Sequence, residues 1–194
     1  RIFKNQNIRF PGEDIKKNKT ILFKGKKINE IDIGILASLG ISKVPVNKKP
    51  IIGLVGVPKK KQLFYSYAIG QSFLRQNGDD KKIDCKKKNN RNNIIAVSSM
   101  SKPPELIMKK LNEYNVSSIA KVASSYKFCL IADGTFDIYA AKERANEWDY
   151  AAGHAVAENA GAIITTLDNQ PFLYGKEDYR NPSLLMLRSK NLND

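Results

Sequence analysis

The 194-residue sequence holds very little histidine, tryptophan or cysteine: one His (His154), one Trp (Trp148) and two Cys (Cys85 and Cys129). Two cysteines without any secretory feature argue against a disulfide framework and for reduced thiols in a cytoplasmic setting. No apolar run approaches the roughly 20 residues of a membrane-spanning helix, so no span is expected. The start, Arg1-Ile2-Phe3-Lys4-Asn5-Gln6-Asn7, lacks the apolar stretch of a secretory signal. It is also not Met, so the true N-terminus is expected upstream. There is no internal repeat and no low-complexity linker.

What is abundant is lysine, asparagine and isoleucine. The formal net charge is +14. It is unevenly spread: residues 1–50 carry +8, residues 51–130 carry +10, and residues 131–194 carry −4. Two short runs, Lys59-Lys60-Lys61 and Lys86-Lys87-Lys88, lie near Pro, Asn and Asp, where solvated turns are expected. Lys, Asn and Ile share A/T-rich codons, so a biased genome accounts for the composition. A nucleic-acid role is therefore disfavoured, while small anionic substrates remain compatible with the charge. At 42% hydrophobic residues, a sizeable core is possible.

Two textures follow one another along the chain. Residues 1–49 read as a small β-rich segment, with strands expected at 8–10 and 20–23 and a turn at 11–14. A short helix then starts near Asn29 or Asp32 and ends before Gly40. An extended segment is expected at 44–46. From residue 50 a strand at 51–58 and its hairpin partner at 63–68 flank the lysine turn. Edge strands are expected at 72–74 and 83–85. Strands at 94–97, 116–122, 136–139, 162–167 and 184–187 alternate with helices at 105–113, 125–132 and 149–160. That alternation argues for a layered α/β domain. The two textures meet at Asn47-Lys48-Lys49-Pro50 with almost no spacer, whereas folded domains usually meet through a linker.

The densest stretch is Trp148-Asp149-Tyr150-Ala151-Ala152-Gly153-His154-Ala155-Val156. It sets Asp149 in front of small and apolar residues that read as a buried helix. An acid there either caps the free N–H groups or helps to hold a metal ion. Ser124 reads as a second cap, and Lys127 as a solvated lysine. His154 lies five residues after Asp149, so the two do not share a helix face. It reads as structural, its ring nitrogens satisfied by backbone groups. Cys129 and Trp148 read as packing residues.

Three blocks carry a resemblance: Ala123-Ser124-Ser125-Tyr126-Lys127-Phe128-Cys129-Leu130-Ile131-Ala132-Asp133-Gly134, then Asp137-Ile138-Tyr139, then Trp148 to Val156. Together they resemble the inositol monophosphatase superfamily, and within it the 3'(2'),5'-bisphosphate nucleotidase branch. The likeness spans roughly residues 50–194. It implies a C-terminal part of that family's layered α/β sandwich. It also implies Mg²⁺-dependent hydrolysis of a small phosphorylated nucleotide, 3'-phosphoadenosine 5'-phosphate, to AMP and phosphate. By the same resemblance Asp149 is a metal ligand, and Ser124 and Lys127 hold the substrate's second phosphate.

The departures are equally informative. The family's Glu-Glu pair and its Asp-Pro-x-Asp-Gly-Thr loop, which supply most metal ligands, are absent. Asp133-Gly134-Thr135 follows the wrong helix to be that loop. Tyr139-Ala140-Ala141 stands in place of Tyr-Pro-Arg, so a phosphate-binding arginine is lost. Lys102 stands where the nucleotidases often have a histidine. Residues 1–49, above all Asp32-Ile33-Gly34-Ile35-Leu36-Ala37-Ser38-Leu39-Gly40 followed by Val44-Pro45-Val46, resemble a scaffold segment of the molybdopterin molybdenumtransferase.

The expected function is a bisphosphate nucleotidase impaired by its missing motifs. The alternatives are a non-catalytic remnant that binds nucleotides or a partner, and a molybdenum-cofactor protein. Strands at 51–74 without sheet neighbours would also favour self-association.

Overall fold

The computed structural model describes residues 15–16, 18–22, 28, 30–41, 44, 51–86 and 93–192. The chain divides into two compact units, Arg1–Val46 and Asn47–Asp194.

The first unit holds helix α1 (Glu30–Ser38). Its end is built as the sequence suggests. Gly40 adopts φ 69°, its N–H donates to Ala37 O, and Ile41 N–H reaches back to Leu36 O. This pair of bonds closes the helix around a left-handed glycine. Asp32 lies inside the helix and is buried, so it is not the cap. Residues 20–22 are irregular instead of a strand. A β-prone triplet does not form a strand without a partner strand to bond. The expected strand at 8–10 and the turn at 11–14 lie outside the described residues, as do residues 45–46 of the extended segment.

The second unit has two sheets. The first is an antiparallel meander of β1 (Gly53–Val57), β2 (Gln62–Ala68), β3 (Gln71–Gln76) and β4 (Asp79–Lys82). The lysine turn between β1 and β2 is a 3₁₀ turn over Pro58–Lys60, closed by Lys61 at φ 51°, and it is solvated. Period-two alternation buries Val55, Phe64, Ser66 and Ser72 and leaves Leu54 and Tyr67 in solvent. The chain turns from β3 to β4 through Asn77 (φ 55°) and Gly78 (φ 93°), a two-residue hairpin. β4 replaces the strand expected at 83–85. Its sequence, Asp79-Asp80-Lys81-Lys82, has no apolar residue to reveal it. β2 and β3 lie inside this sheet, so among the described residues the unpaired edges belong to β1 and β4 and not to the whole of residues 51–74.

The second sheet contains β5 (Ile95–Ser98), β6 (Ser118–Lys121), β7 (Ile138–Ala141), β8 (Ile163–Thr165) and β9 (Leu184–Leu187) in the order β6-β5-β7-β9-β8. β6, β5 and β7 run parallel, and β9 is antiparallel to both β7 and β8. Three helices complete the unit: α2 (Glu105–Asn112), α3 (Tyr126–Ala132) and α4 (Glu147–Asn159).

Alternation along the buried strands fixes the layers. Ile138 and Ala140 of β7, with Leu185 and Leu187 of β9, pack with Ile107 and Leu111 of α2. Tyr139, Ala141, Leu184 and Met186 point to the other face, where they join Phe128 and Ile131 of α3, Val156 of α4, and Val55 and Phe64 of the first sheet. The order of layers is therefore α2, five-stranded sheet, α3 with α4, four-stranded sheet. This is the layered α/β sandwich expected from the alternating pattern.

Two glycines set the spacing of the inner layer. A Cβ at Gly153 of α4 would lie 2.9 Å from Phe128 Cβ and Cγ. A Cβ at Gly53 of β1 would lie 2.3 Å from Ala152 O. Only hydrogen at these positions lets α4 seat against α3 on one side and β1 on the other. Behind the second sheet, Arg188 Nε donates to Asp137 Oδ1 at 2.9 Å, with both side chains fully enclosed. Asp137 Oδ2 also accepts Ile95 N–H at 2.8 Å. This buried pair ties the start of β5 to the segments flanking β7 and β9.

Candidate active site

Asp149 sits at the third position of α4, because the helix begins two residues earlier than the sequence pattern suggests. Its Oδ2 accepts the backbone N–H of Asn146, the N-cap residue, at 2.9 Å. An acid at this position also opposes the positive end of the helix dipole. The side chain is exposed, and Oδ1 has no partner among the described residues. Capping thus occupies one carboxylate oxygen and leaves the other to solvent.

Ser124 and Lys127 come together at the start of α3. Lys127 Nζ donates to Ser124 O at 2.6 Å and lies 5.1 Å from the centre of the Tyr139 ring. Ser124 is held at φ 66°, in the left-handed region. That conformation is costly for a residue with a side chain, and such outliers gather at functional sites. Ser124 does not cap α3; Ser125 occupies that position. Lys127 is 5% exposed and not a solvated lysine. Burial, and secondarily the nearby Arg144 charge, push its ammonium down to about 8. Among the described residues no carboxylate pairs with it. Among the described residues this buried ammonium therefore bonds only to a carbonyl and lies over a ring face, with no charge partner to offset its burial.

Beside Tyr139 the carboxyl ends of β5 and β7 form a cleft lined by Ser98, Ser99, Tyr139, Lys142 and Arg144 among others. Ser98 Oγ accepts Met100 N–H at 3.1 Å, so its own O–H is left to donate. Lys102, on the same loop, is exposed and does not line the cleft. Ligand sites of parallel α/β sheets commonly lie at the carboxyl ends of strands.

The remaining candidates are structural. His154 is fully buried between Phe172 and Tyr174, and its Nδ1 lies 2.9 Å from Tyr174 Oη. Its partner is a tyrosine hydroxyl, not the expected backbone group. Cys129 is enclosed in α3, and burial raises its thiol pKa. Trp148 is 67% exposed and only flanks Tyr179, so it is not a core residue. Its place at the second position of α4 leaves it outside the packed α3–α4 layer. Asp133 Oδ1 accepts Thr135 N–H at 2.9 Å, which makes Asp133-Gly134-Thr135 a helix-ending turn.

Sequence reasoning passed over Glu147. Its carboxylate accepts Gly175 N–H at 3.0 Å and Lys176 N–H at 3.1 Å and pairs with Lys176 Nζ at 2.6 Å. It anchors the 170–176 segment to the start of α4. Its neighbour Asp149, with the same charge, is the one left accessible.

Among the described residues the donors do not make a resident Mg²⁺ site. Among the described residues no three His, Cys, Asp or Glu side chains are grouped to hold a metal. Asp149 supplies one open oxygen, whereas Mg²⁺ demands near-octahedral oxygen coordination. No helix among the described residues is long and apolar enough to cross a membrane.

Known proteins bear directly on this arrangement. The sequence profile of the inositol monophosphatase family matches residues 38–192, starting within α1. The 3'(2'),5'-bisphosphate nucleotidase CysQ of Escherichia coli K12 is 35% identical over 137 residues, covering 69% of this chain and 53% of that protein. The CysQ of Buchnera aphidicola from Acyrthosiphon pisum is 35% identical over 117 residues, covering 60% of this chain and 43% of that protein. The crystal structure of CysQ from Bacteroides thetaiotaomicron superposes with a TM-score of 0.65 at 26% identity, over 74% of this chain and 60% of that one. The chain spans about half the length of the curated CysQ relatives it matches. With the profile match over most of its length and the layered fold in agreement, the chain belongs to the inositol monophosphatase family.

Proposed function

We propose that the chain is a phosphomonoesterase-type protein of the bisphosphate nucleotidase class that binds 3'-phosphoadenosine 5'-phosphate or a closely similar bisphosphate. The observation that carries this reading is the buried ammonium of Lys127, bonded to Ser124 O and without a carboxylate partner among the described residues. A fully solvated role would not explain it. An anion would offset the cost of burying the charge, and a phosphate oxygen is a strong acceptor for it. The Ser124 hydroxyl supplies a second donor in this reading. The identity to nucleotidases in two bacteria supports the same substrate class.

Asp149 contributes one metal ligand through its open oxygen. Among the described residues no further acids group with it, and in this reading turnover by the chain alone is impaired. A non-catalytic nucleotide binder is the second reading, favoured by the same absence of grouped acids. Residues 1–49 we read as a scaffold segment of molybdopterin molybdenumtransferase type, and residues 50–194 as the C-terminal part of the phosphatase. The seam then lies near Lys48-Lys49-Pro50, and an uninterrupted phosphatase gene on resequencing the locus would sink this.

The test of activity is Mg²⁺-dependent phosphate release from purified protein. Release abolished by Asp149→Asn supports a catalytic chain with Asp149 as ligand. No release, together with retained nucleotide binding, selects the non-catalytic reading.

A further inference from the structure

The two edges of the four-stranded sheet differ in chemistry. The β4 edge is Asp79-Asp80-Lys81-Lys82, with all of its residues exposed. Arg75 holds Asp80 there through two bonds, at 2.8 and 2.6 Å. A charged edge of this kind resists a further strand. The β1 edge, Gly53-Leu54-Val55-Gly56-Val57, has no charge and no proline. Its register with β2 runs without a bulge from Gly53↔Ser66 to Val57↔Gln62. Among the described residues no strand pairs with its other side. β1 thus carries neither charge, proline nor bulge to guard it.

The sequence of β1 is also complementary to itself. Laid antiparallel to a second copy about a two-fold axis at Val55, the whole strand pairs with the whole of its partner strand. Val55 then opposes the partner's Val55, Leu54 opposes the partner's Gly56, and Gly53 opposes the partner's Val57. Residues two apart lie on one face of a strand, so every such pair joins matching faces. Except at the axis, each large side chain meets a glycine. A Cβ built at Gly56 has nothing within 4 Å, so the solvent face has room for Leu54 there. The two lysine turns, at residues 58–61 of each copy, fall at opposite ends of the new ladder and do not repel one another. The outer edges of the joined sheet are both β4, which is guarded.

We propose that β1 is the interface of a closed homodimer, in which two copies add their β1 edges antiparallel about a two-fold axis at Val55. Pairing like with like ends at two copies, whereas pairing β1 with a β4 edge would grow without end. Main-chain hydrogen bonds supply the attraction, and the fit of Leu54 to Gly56 sets the register. Gly53 of β1 also seats α4, so the dimer stabilises the layer that carries Asp149.

The experiment is sedimentation velocity on the purified full chain under reducing conditions, across a range of concentrations. A monomer–dimer equilibrium that stops at the dimer is expected, with a melting midpoint that rises with concentration. Leu54→Lys should weaken the dimer about tenfold or more, because it puts a charge on the open edge. Its melting at low concentration separates lost pairing from lost fold. Cysteine pairs test the register. Cys85 and Cys129 are both buried and do not compete. An equimolar mixture of Leu54→Cys and Gly56→Cys chains should cross-link on mild oxidation, since opposite side chains lie about 5 Å apart. Each variant alone should cross-link far less, because like cysteines then sit on the diagonal, about 7–8 Å apart. A chain that stays monomeric, its edge bare or taken by an extended segment of another protein, overturns the inference. So do growth beyond the dimer and single variants that cross-link as readily as the mixture.

Discussion

Asp149 carries the cap of α4 and, under the proposed function, also offers an oxygen to a metal ion. Its Oδ2 caps the helix through Asn146 N–H, and its Oδ1 is open to solvent. The two roles separate by substitution. Asp149→Ala should cost about 0.5–1.5 kcal/mol in urea unfolding, because the bond to Asn146 N–H is lost. Asp149→Asn keeps an acceptor oxygen and should cost no more than about 0.5 kcal/mol, while removing the carboxylate charge. Equal losses of stability in the two variants would refute this division. Lys127 makes the opposite trade. Its folded pKa lies well below the ordinary lysine value of about 10.4. The folded state therefore holds this proton less tightly than the unfolded chain does. The penalty is full below pH 8, and stability recovers as pH rises from about 8 toward 10.4. Lys127→Met should accordingly raise stability at pH 7 by about 1–3 kcal/mol. A loss of stability there would mean that the ammonium serves the fold rather than a ligand.

At the scale of elements, α4 is the part on which the site depends. Its Ala151-Ala152-Gly153 run permits contact with α3 and β1 at backbone distance. Gly153→Ala gains helix propensity of about 1 kcal/mol. The new methyl, however, meets Phe128 Cβ and Cγ at 2.9 Å. These atoms are not the free end of a flexible chain, so a net loss of about 1–3 kcal/mol is expected on denaturant unfolding. The four-stranded sheet makes a second prediction. Its solvent face exposes Leu54 at 63% and Tyr67 at 56%, and the β1 edge is unpaired among the described residues. Self-association that rises with concentration in sedimentation, and falls in Leu54→Lys, is expected. A strictly monomeric chain would contradict it. These elements also show what the sequence could and could not reveal. Strand β9 was legible to the residue, since four buried apolar residues in a row leave little choice. Strand β4 was not, because four exposed charged residues carry no hydrophobic period; the Asn77-Gly78 turn was its only signal. The start of α4 was misplaced by two residues because Glu147 looks like a solvent residue, until its bonds to Gly175 and Lys176 are seen.

At the scale of the whole molecule, the pattern announces the layered fold far more plainly than it announces a site. The layered α/β class followed from alternating strands and helices. The site did not follow in the same way, because its character depends on enclosure: Lys127 reads as an ordinary surface lysine until the ring of Tyr139 and the carbonyl of Ser124 are placed around it. The positive net charge also takes on a local meaning. Residues 131–194 are net acidic, yet Lys142 and Arg144 stand together at the cleft. The central claim is that the buried Lys127 ammonium receives a phosphate of a nucleotide bisphosphate. Its most direct test is the affinity for adenosine 3',5'-bisphosphate measured from pH 6 to pH 9.5. Affinity should fall as pH rises through about 8, where the unliganded lysine gives up its proton, and Lys127→Met should bind weakly with no such fall. An affinity that stays flat through that range, or a Lys127→Met profile matching the unaltered chain, would contradict the account.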